Sequence, residues 1–330
     1  MDLLKKIKEN DLKGRGGAGF SVYDKWKLIL KTKTKEKYFI VNGAEGEPGV
    51  KKDEYIIKHH LEELLSGIKL IINYIKTKKC IIFLNHDFLK YGEKIKADLV
   101  NTEIEIIYKN KNHGYIAGEE STMLNILEGK RSEPRARPPF PTESGYNNSP
   151  TLIHNIETIY NIYLVSKSNY KKTRFYTING EVKNPGVYNL PANYSIARIL
   201  EETNNLPSFK FFVQHGGQAS GEILNSSQLK KQVSGCGAIT IYSYKNNSDF
   251  EFIKNLVNFY FNSSCGKCTP CREGTYRLKE MLSGEKMNWS HFLDLIDNLE
   301  NSSFCALGSS LAVPVKSYIN NVNPDFKPEL

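Results

Sequence analysis

Two hydrophobic rhythms alternate along the first half of the chain. The runs at 38–41, 80–84 and 104–108 are short and rich in aromatic and β-branched residues, as in strands buried inside a sheet. Between and around them, apolar residues recur at three- and four-residue spacing. Leu3, Leu4, Ile7 and Leu12 mark a short amphipathic helix, a second carries Lys25 and Trp26, and longer stretches at 61–75 and 88–99 predict two more. A further helix opens at 115–122 and runs through Met123, Leu124 and Leu127, and Asn155 is placed to cap a helix starting near Ile156. Strands alternating with helices predict an α/β fold with a parallel sheet covered by helices.

From Thr173 the texture changes. Residues 175–179 and 187–190 flank an Asn-Pro-Gly turn and read as a hairpin, followed by a helix at 196–202 and strands near 211–213 and 238–242. This is a small α+β module with no catalytic signature. Beyond 250 the pattern is helical again, with an amphipathic stretch at 293–299 and a last helix after Cys305. The expected divisions are therefore 1–168, 169–246 and 247–330.

Composition narrows the function classes. At 330 residues with 40% hydrophobic content, the chain suits two or three soluble domains. No apolar run approaches the ~20 residues that cross a bilayer, and the charged start lacks the apolar stretch of a signal peptide. Cytoplasmic residence is expected, with any membrane association coming through partners. The net charge of +9 is spread over scattered lysines without a basic, aromatic-interleaved patch, so nucleic-acid binding is not expected. Such a surface suits anionic dinucleotides or acidic partner proteins.

The chemistry concentrates in a few stretches. Cys265, Cys268 and Cys271 stand two residues apart, and Cys305 is the remaining downstream thiol. Three thiols at this spacing curl the backbone into a cup, and iron–sulfur proteins take the fourth thiolate from elsewhere in the chain. Lys267 and Arg272 put cations beside the sulfurs. Structural zinc is the rival, although zinc sites favour paired knuckles or histidines. Cys80 reads as a core thiol, and Cys236 has no partner spaced for it. The segment GRGGAGF at 14–20 lets backbone amides approach phosphate oxygens, but no strand precedes it as in a dinucleotide fingerprint. The strand at 38–41 runs into NGAEGEPG at 42–49, a Gly-rich acidic loop of the sort that lines crevices in α/β sheets. Prolines make 133–141 (EPRARPPFP) stiff and non-helical, holding Phe140 in a fixed pose.

Taken together, GRGGAGF, Glu119-Glu120, EGKR at 128–131 with PPFP at 138–141, Glu157-Thr158 and SCGKCTPCREGT at 264–275 occur in one order over nearly the whole chain. They resemble the NADH-binding flavoprotein subunit of respiratory complex I, a type also used as the diaphorase of NAD-linked hydrogenases and formate dehydrogenases. The resemblance implies a Rossmann-like FMN domain, a β-grasp domain of the soluble-ligand-binding type and a C-terminal helical bundle with one [4Fe-4S] cluster. It implies that Gly14, Arg15, Gly16, Gly17, Gly19, Lys25, Asn42, Glu45, Tyr115, Gly118, Glu119 and Asn155 hold the cofactor. Phe20, Glu47, Glu120, Arg137 and Phe140 would line the NADH site, and Cys265, Cys268, Cys271 and Cys305 would ligate the cluster. No side chain would act as nucleophile or strong base, because the flavin carries the hydride chemistry. Carboxylates at the ribose would favour NADH over NADPH. The implied partners are a [2Fe-2S] thioredoxin-like subunit and a multi-cluster iron–sulfur subunit. The chain departs from the family pattern at Ala44, where a carboxylate is usual, at Ala117, where Cys is common, at His154 for Asn and at Glu54 for Arg.

Overall fold

The computed structural model describes residues 2–34, 36–99, 103–283 and 288–324. The chain forms two compact units: one holds the residues up to Gly46 with Lys51–Phe175, the other Glu47–Val50 with Tyr176 onward.

The first unit contains α1 (Leu3–Glu9), α2 (Val22–Lys31), β1 (Tyr38–Gly43), α3 (Lys52–His59), α4 (Leu61–Ile75), β2 (Lys79–Leu84), α5 (Gly92–Ala97), β3 (Ile104–Tyr108), α6 (Glu120–Leu127), β4 (Thr151–Asn155) and α7 (Ile156–Ser166). Helix starts follow capping chemistry: Asp2, Ser21, Glu119 and Asn155 each accept a backbone N–H from the first turn of α1, α2, α6 and α7. The four strands are parallel in the order β3-β2-β1-β4, a Rossmann-like arrangement. One face of the sheet packs Ile40, Ile81, Phe83 and Ile153 against Met123 and Leu124 of α6. The helix expected at 88–99 is instead a 3-10 turn, His86–Tyr91, followed by the shorter α5. The stretch 115–118 is likewise a 3-10 turn ahead of α6. Neither β4 nor α3 stands out in the hydrophobic pattern.

The second unit is built on a mixed sheet. Its elements are β5 (Thr173–Gly180), β6 (Gly186–Pro191), α8 (Ile196–Glu202), β7 (Phe211–His215), β8 (Glu222–Asn225) and β9 (Ala238–Ser243), followed by α9 (Asp249–Ser263), α10 (Thr269–Met281), α11 (Trp289–Ser302), α12 (Ala306–Ser310) and α13 (Ala312–Asn321). The strand order is β6-β5-β9-β7-β8, with β5 and β9 parallel and β7 antiparallel to both β8 and β9. Ile199 and Leu200 of α8 join a core with Tyr176, Ile178, Val213, Ile239 and Ile241. Phe212 and Tyr242 of the sheet meet Phe252 of α9 and Tyr318 of α13 in one aromatic cluster, with centroids 4.9–5.4 Å apart. Each of these pairs adds about 0.5–1.5 kcal/mol beyond the area it buries. Among the described residues no helix is long and apolar enough to cross a membrane.

Gly180 ends β5 at φ +85°, and a Cβ there would stand 2.2 Å from the Ile241 carbonyl oxygen of β9. Neither conformation nor space admits a side chain. Gly180→Ala is expected to destabilise the protein by roughly 2–3 kcal/mol. The check is the thermal midpoint, and an unchanged midpoint contradicts the expectation.

Candidate functional site

A parallel sheet of this order forks at β1, because the chain passes to β2 on one side and β4 lies on the other. The loops leaving β1 and β4 diverge, and the crevice between them is where such sheets bind ligands. Asn42 and Asn155 are paired in register at these two strand ends. The glycine loop closes on itself through Gly14 N donating to Phe20 O at 2.8 Å, and Arg15 N donates to Thr158 Oγ1 of α7 at 2.9 Å. A Cβ on Gly16 would touch the Asn155 Cβ at 3.4 Å, so the loop backbone reaches the end of β4. Gly17 and Gly19 lie at φ 115° and 65°, which glycine adopts without strain. The loop amides thus gather at the start of α7, a place suited to a phosphate.

The other residues implied by the resemblance are knitted to this fork. Asn42 Nδ2 donates to Gly118 O at 2.9 Å, which fixes the 3-10 turn to the end of β1. Asn155 Oδ1 accepts from Glu157 N and from Lys52 Nζ, each at 3.0 Å, and Nδ2 donates to Asp53 Oδ2 at 2.7 Å. Glu45 takes the Asp53 and Glu54 amides at 2.6 and 3.0 Å and so caps α3. Glu119 caps α6 through Thr122 N at 2.7 Å and also pairs with Arg137 at 2.5 Å. Lys25 meets Glu120 at 2.5 Å. Phe20 and Phe140 remain about half exposed, at 53% and 51%, leaving flat faces for a planar ligand. Arg135 anchors the stiff segment around Phe140, donating to Asn125 Oδ1 at 2.8 Å and to Gly145 O at 3.0 Å.

Beneath the fork lies a buried charge cluster that the sequence did not announce. Lys52, Asp53 and Glu157 are at most 2% exposed, and the ammonium lies 2.9 Å from Asp53 and 3.1 Å from Glu157. Burial works against the Lys52 charge, yet the two carboxylates outweigh it and hold the lysine protonated. Burial pushes Asp53 up and raises Glu45 to about 8, with the charge of Asp53 adding to the rise and the two capping amides only partly opposing it. Asn85 is a second unannounced member, donating to the carbonyls of Ala44 and Glu45 at 3.0 Å each. Asn85 at the end of a strand and Lys-Asp after Pro-Gly were the available signals.

The departures from the family pattern have local explanations. Ala44 is buried in the apolar cluster with Phe83, Met123 and Leu124, where an unpaired carboxylate would be costly. His154 Nε2 accepts from Trp26 Nε1 at 2.8 Å, and burial, followed by the charge of Lys25, keeps the ring neutral. It is a satisfied core histidine. Glu54 faces Lys90 and Tyr91. Glu47 belongs to the other unit, where its carboxylate accepts from Ala219 N at 2.9 Å. The Tyr260 hydroxyl donates to the carbonyl of the same Ala219 at 3.1 Å and lies 2.9 Å from Ser310 at the end of α12.

In that second unit the cysteine run fills the turn between α9 and α10. Cys268 occupies the N-cap of α10, Cys271 lies in its first turns, and Cys305 is the N-cap of α12. A Cβ on Gly308 would lie 3.1 Å from the Cys271 Cβ and 2.3 Å from Ser303 Oγ, so only glycine lets α12 close on α10. Burial pushes the Cys271 thiol up to about 11, and the charges of Cys268, Cys305 and Cys265 push the same way against the Ser264 hydroxyl. The other three sulfurs therefore lie within electrostatic range of Cys271, across two loops. Thiolates gathered around such a point are stabilised by a cationic metal core. Among the described residues no three donors close around a single-ion position. Lys267 lies over the Phe304 ring at 5.0 Å, which ties the two loops together beside the sulfurs, and Arg272 donates to Gly266 O at 3.0 Å within the first of them.

Comparison with known proteins bears on both sites. The model described as Nuo51 FMN-binding domain matches residues 7–164, and the NADH-ubiquinone oxidoreductase-F iron-sulfur binding region matches 251–329. The F subunit of NADH-quinone oxidoreductase from Buchnera aphidicola subsp. Acyrthosiphon pisum is 30% identical over 99% of this chain and 84% of its own length. The chain belongs to the family of NADH-quinone oxidoreductase F subunits. Another relative of that name, from Streptomyces coelicolor, is 29% identical over 99% of this chain and 82% of its own. Among solved structures, an NAD+-reducing [NiFe]-hydrogenase in the H2-reduced state aligns with a TM-score of 0.90 at 25% identity, covering 99% of this chain. The chain spans 63% of the length of that hydrogenase chain. As a member of the F-subunit family it uses FMN and a [4Fe-4S] cluster, and the two matched regions are those that hold the fork of the parallel sheet and the four cysteines.

Proposed function

We propose that this chain is the NADH-oxidising flavoprotein subunit of a multi-subunit NADH-quinone oxidoreductase. The observation that carries the reading is the convergence of Gly16, Asn42, Gly118 and Asn155 on one strand fork, in a chain that elsewhere brings Cys265, Cys268 and Cys305 within electrostatic range of Cys271. The chemistry a flavin would supply here is two-electron uptake of a hydride with release of single electrons to a one-electron cluster. The protein's part is positioning. The amides of Gly14–Gly19 would hold the phosphate with Lys25 nearby, and Asn42, Glu45, Tyr115, Gly118, Glu119 and Asn155 would frame the ring. Phe140, with Phe20, would stack the adenine, and Glu120 and Arg137 would meet the nucleotide. Cys265, Cys268, Cys271 and Cys305 would hold the cluster, whose negative charge Lys267 and Arg272 would moderate.

On this reading 1–168 is the FMN domain, 169–246 a β-grasp domain and 247–330 the helical cluster domain. The mixed sheet crossed by α8 supports the middle assignment. With one cluster motif the chain must pass electrons onward, to a [2Fe-2S] subunit and a multi-cluster subunit of a complex on the cytoplasmic side of a membrane. The hydrogenase likeness favours a second reading, the diaphorase of a soluble NAD-linked hydrogenase, which uses the same two sites and differs in the final acceptor.

Anaerobic addition of NADH to the purified chain is expected to bleach the flavin band and produce the signal of a reduced cluster by electron paramagnetic resonance. Flavin and iron that stay oxidised under excess NADH would rule out NADH as the donor. Absence of both cofactors would remove the reading altogether.

A further inference from the structure

Lys109 follows β3 and turns inward, with only 8% of its surface exposed. Its Nζ makes one hydrogen bond among the described residues, a long one of 3.3 Å to Gly114 O, and forms no ion pair there. The cations drawn from the family pattern differ: Lys25 is held by Glu120 and Arg137 by Glu119. A buried ammonium with donors to spare is costly unless something else receives them. Burial accordingly depresses the pKa of Lys109, opposed only by the charge of Asp87.

The position of that ammonium is informative. It lies 3.6 Å from where a Cβ on Gly46 would stand, a point also faced by Tyr115 O at 3.5 Å and the Tyr115 ring at 3.8 Å. Gly46 places no side chain at this point, which adjoins Glu45. Lys109 N donates to Leu84 O at 2.7 Å, so the residue sits at the β2 side of β1, while the glycine loop touches Asn155 on the β4 side. Neighbouring strands are about 4.8 Å apart, so the two places are separated by roughly 10–14 Å across the sheet end. A mononucleotide with its phosphate on the loop would have to span β1, with its ring toward Lys109.

We propose that Lys109 is an unassigned binding residue of the flavin site, its ammonium donating to the acceptor edge of the pyrimidine part of the ring. This rests on the FMN reading above. Reduction of a flavin concentrates negative charge on that edge, so a cation there favours the reduced form.

The test uses the full chain stripped of FMN and refilled, in wild type, Lys109→Met and Lys109→Arg. Methionine keeps the length and packing without the charge. The Met variant is expected to melt no lower than wild-type apoprotein, since it removes an uncompensated buried ammonium. It should bind oxidised FMN about tenfold more weakly by fluorescence titration. Reduced FMN should lose a further tenfold, which lowers the midpoint potential by about 30 mV for a two-electron couple. The Arg variant should stay within about threefold of wild type on both scales, because the charge is retained. Wild-type values of affinity and potential in Lys109→Met overturn the proposal. So does a destabilised apoprotein with unchanged affinity, which would make the lysine structural. A changed NADH KM with unchanged flavin binding also overturns it, by placing the lysine on the nucleotide. Failure of the wild-type chain to take up FMN would instead remove the functional reading on which all this rests.

Discussion

Cys268→Ser is expected to abolish reduction of the natural acceptor by NADH while leaving flavin binding in place. Electron delivery should fall by more than about a hundredfold, since loss of an outer-sphere contact alone costs a metal site 10–100-fold and this change removes a ligand. The substitution isolates chemistry from folding. Cys268 is the N-cap of α10 and makes no side-chain cap bond, while serine is among the best N-cap residues. The helix start should therefore survive, and what is lost is a soft, polarisable thiolate. Iron and acid-labile sulfide per flavin, together with the rate of acceptor reduction, give the readout. Full iron content with undiminished acceptor reduction would show that the four sulfurs are not the electron site.

The cluster loops were the most legible part of the chain, because three thiols at fixed spacing force a backbone shape whatever surrounds them. The strands β1, β2 and β3 and helix α4 were equally open to reading, since parallel strands and amphipathic helices imprint their burial on the sequence. What escaped was the fork itself. Thr151–Asn155 is five residues long, includes a histidine and is capped at its end, so it reads as a lead-in to α7 rather than as β4. Without β4 the sheet has no switch point, and the pairing of Asn42 with Asn155 cannot be foreseen. The two carboxylates of the acidic loop show a similar limit. Glu45 caps α3 in the first unit and Glu47 accepts from Ala219 in the second, although the two are separated by one glycine. Lys52 and Lys109 look like any other lysines in a lysine-rich chain, and only tertiary burial distinguishes them.

Lys52→Met should strongly destabilise the first unit. The ammonium stands between Asp53 and Glu157 and also reaches Asn155 Oδ1 at 3.0 Å. Removing one partner of a buried ion pair typically costs about 3–5 kcal/mol, because the remaining charges are left without compensation. That is a large share of the ~5–15 kcal/mol that separates a folded domain from its unfolded chain. The pH dependence has a definite sign. Burial already raises Asp53, and loss of the neighbouring cation can only raise it further. A carboxyl whose folded pKa exceeds its unfolded value binds more protons when folded, so stability falls as pH rises from the unfolded pKa toward the folded one. The variant should therefore be closest to wild type near pH 5 and fall progressively behind toward pH 8. Adding Glu157→Gln, which removes one of the stranded charges at nearly constant shape, should recover part of the loss at pH 8 and little at pH 5. Urea midpoints for the three proteins at both pH values decide the matter. A deficit that is the same at pH 5 and pH 8 would mean that packing around the lysine stem, and not its charge, is what the fork depends on.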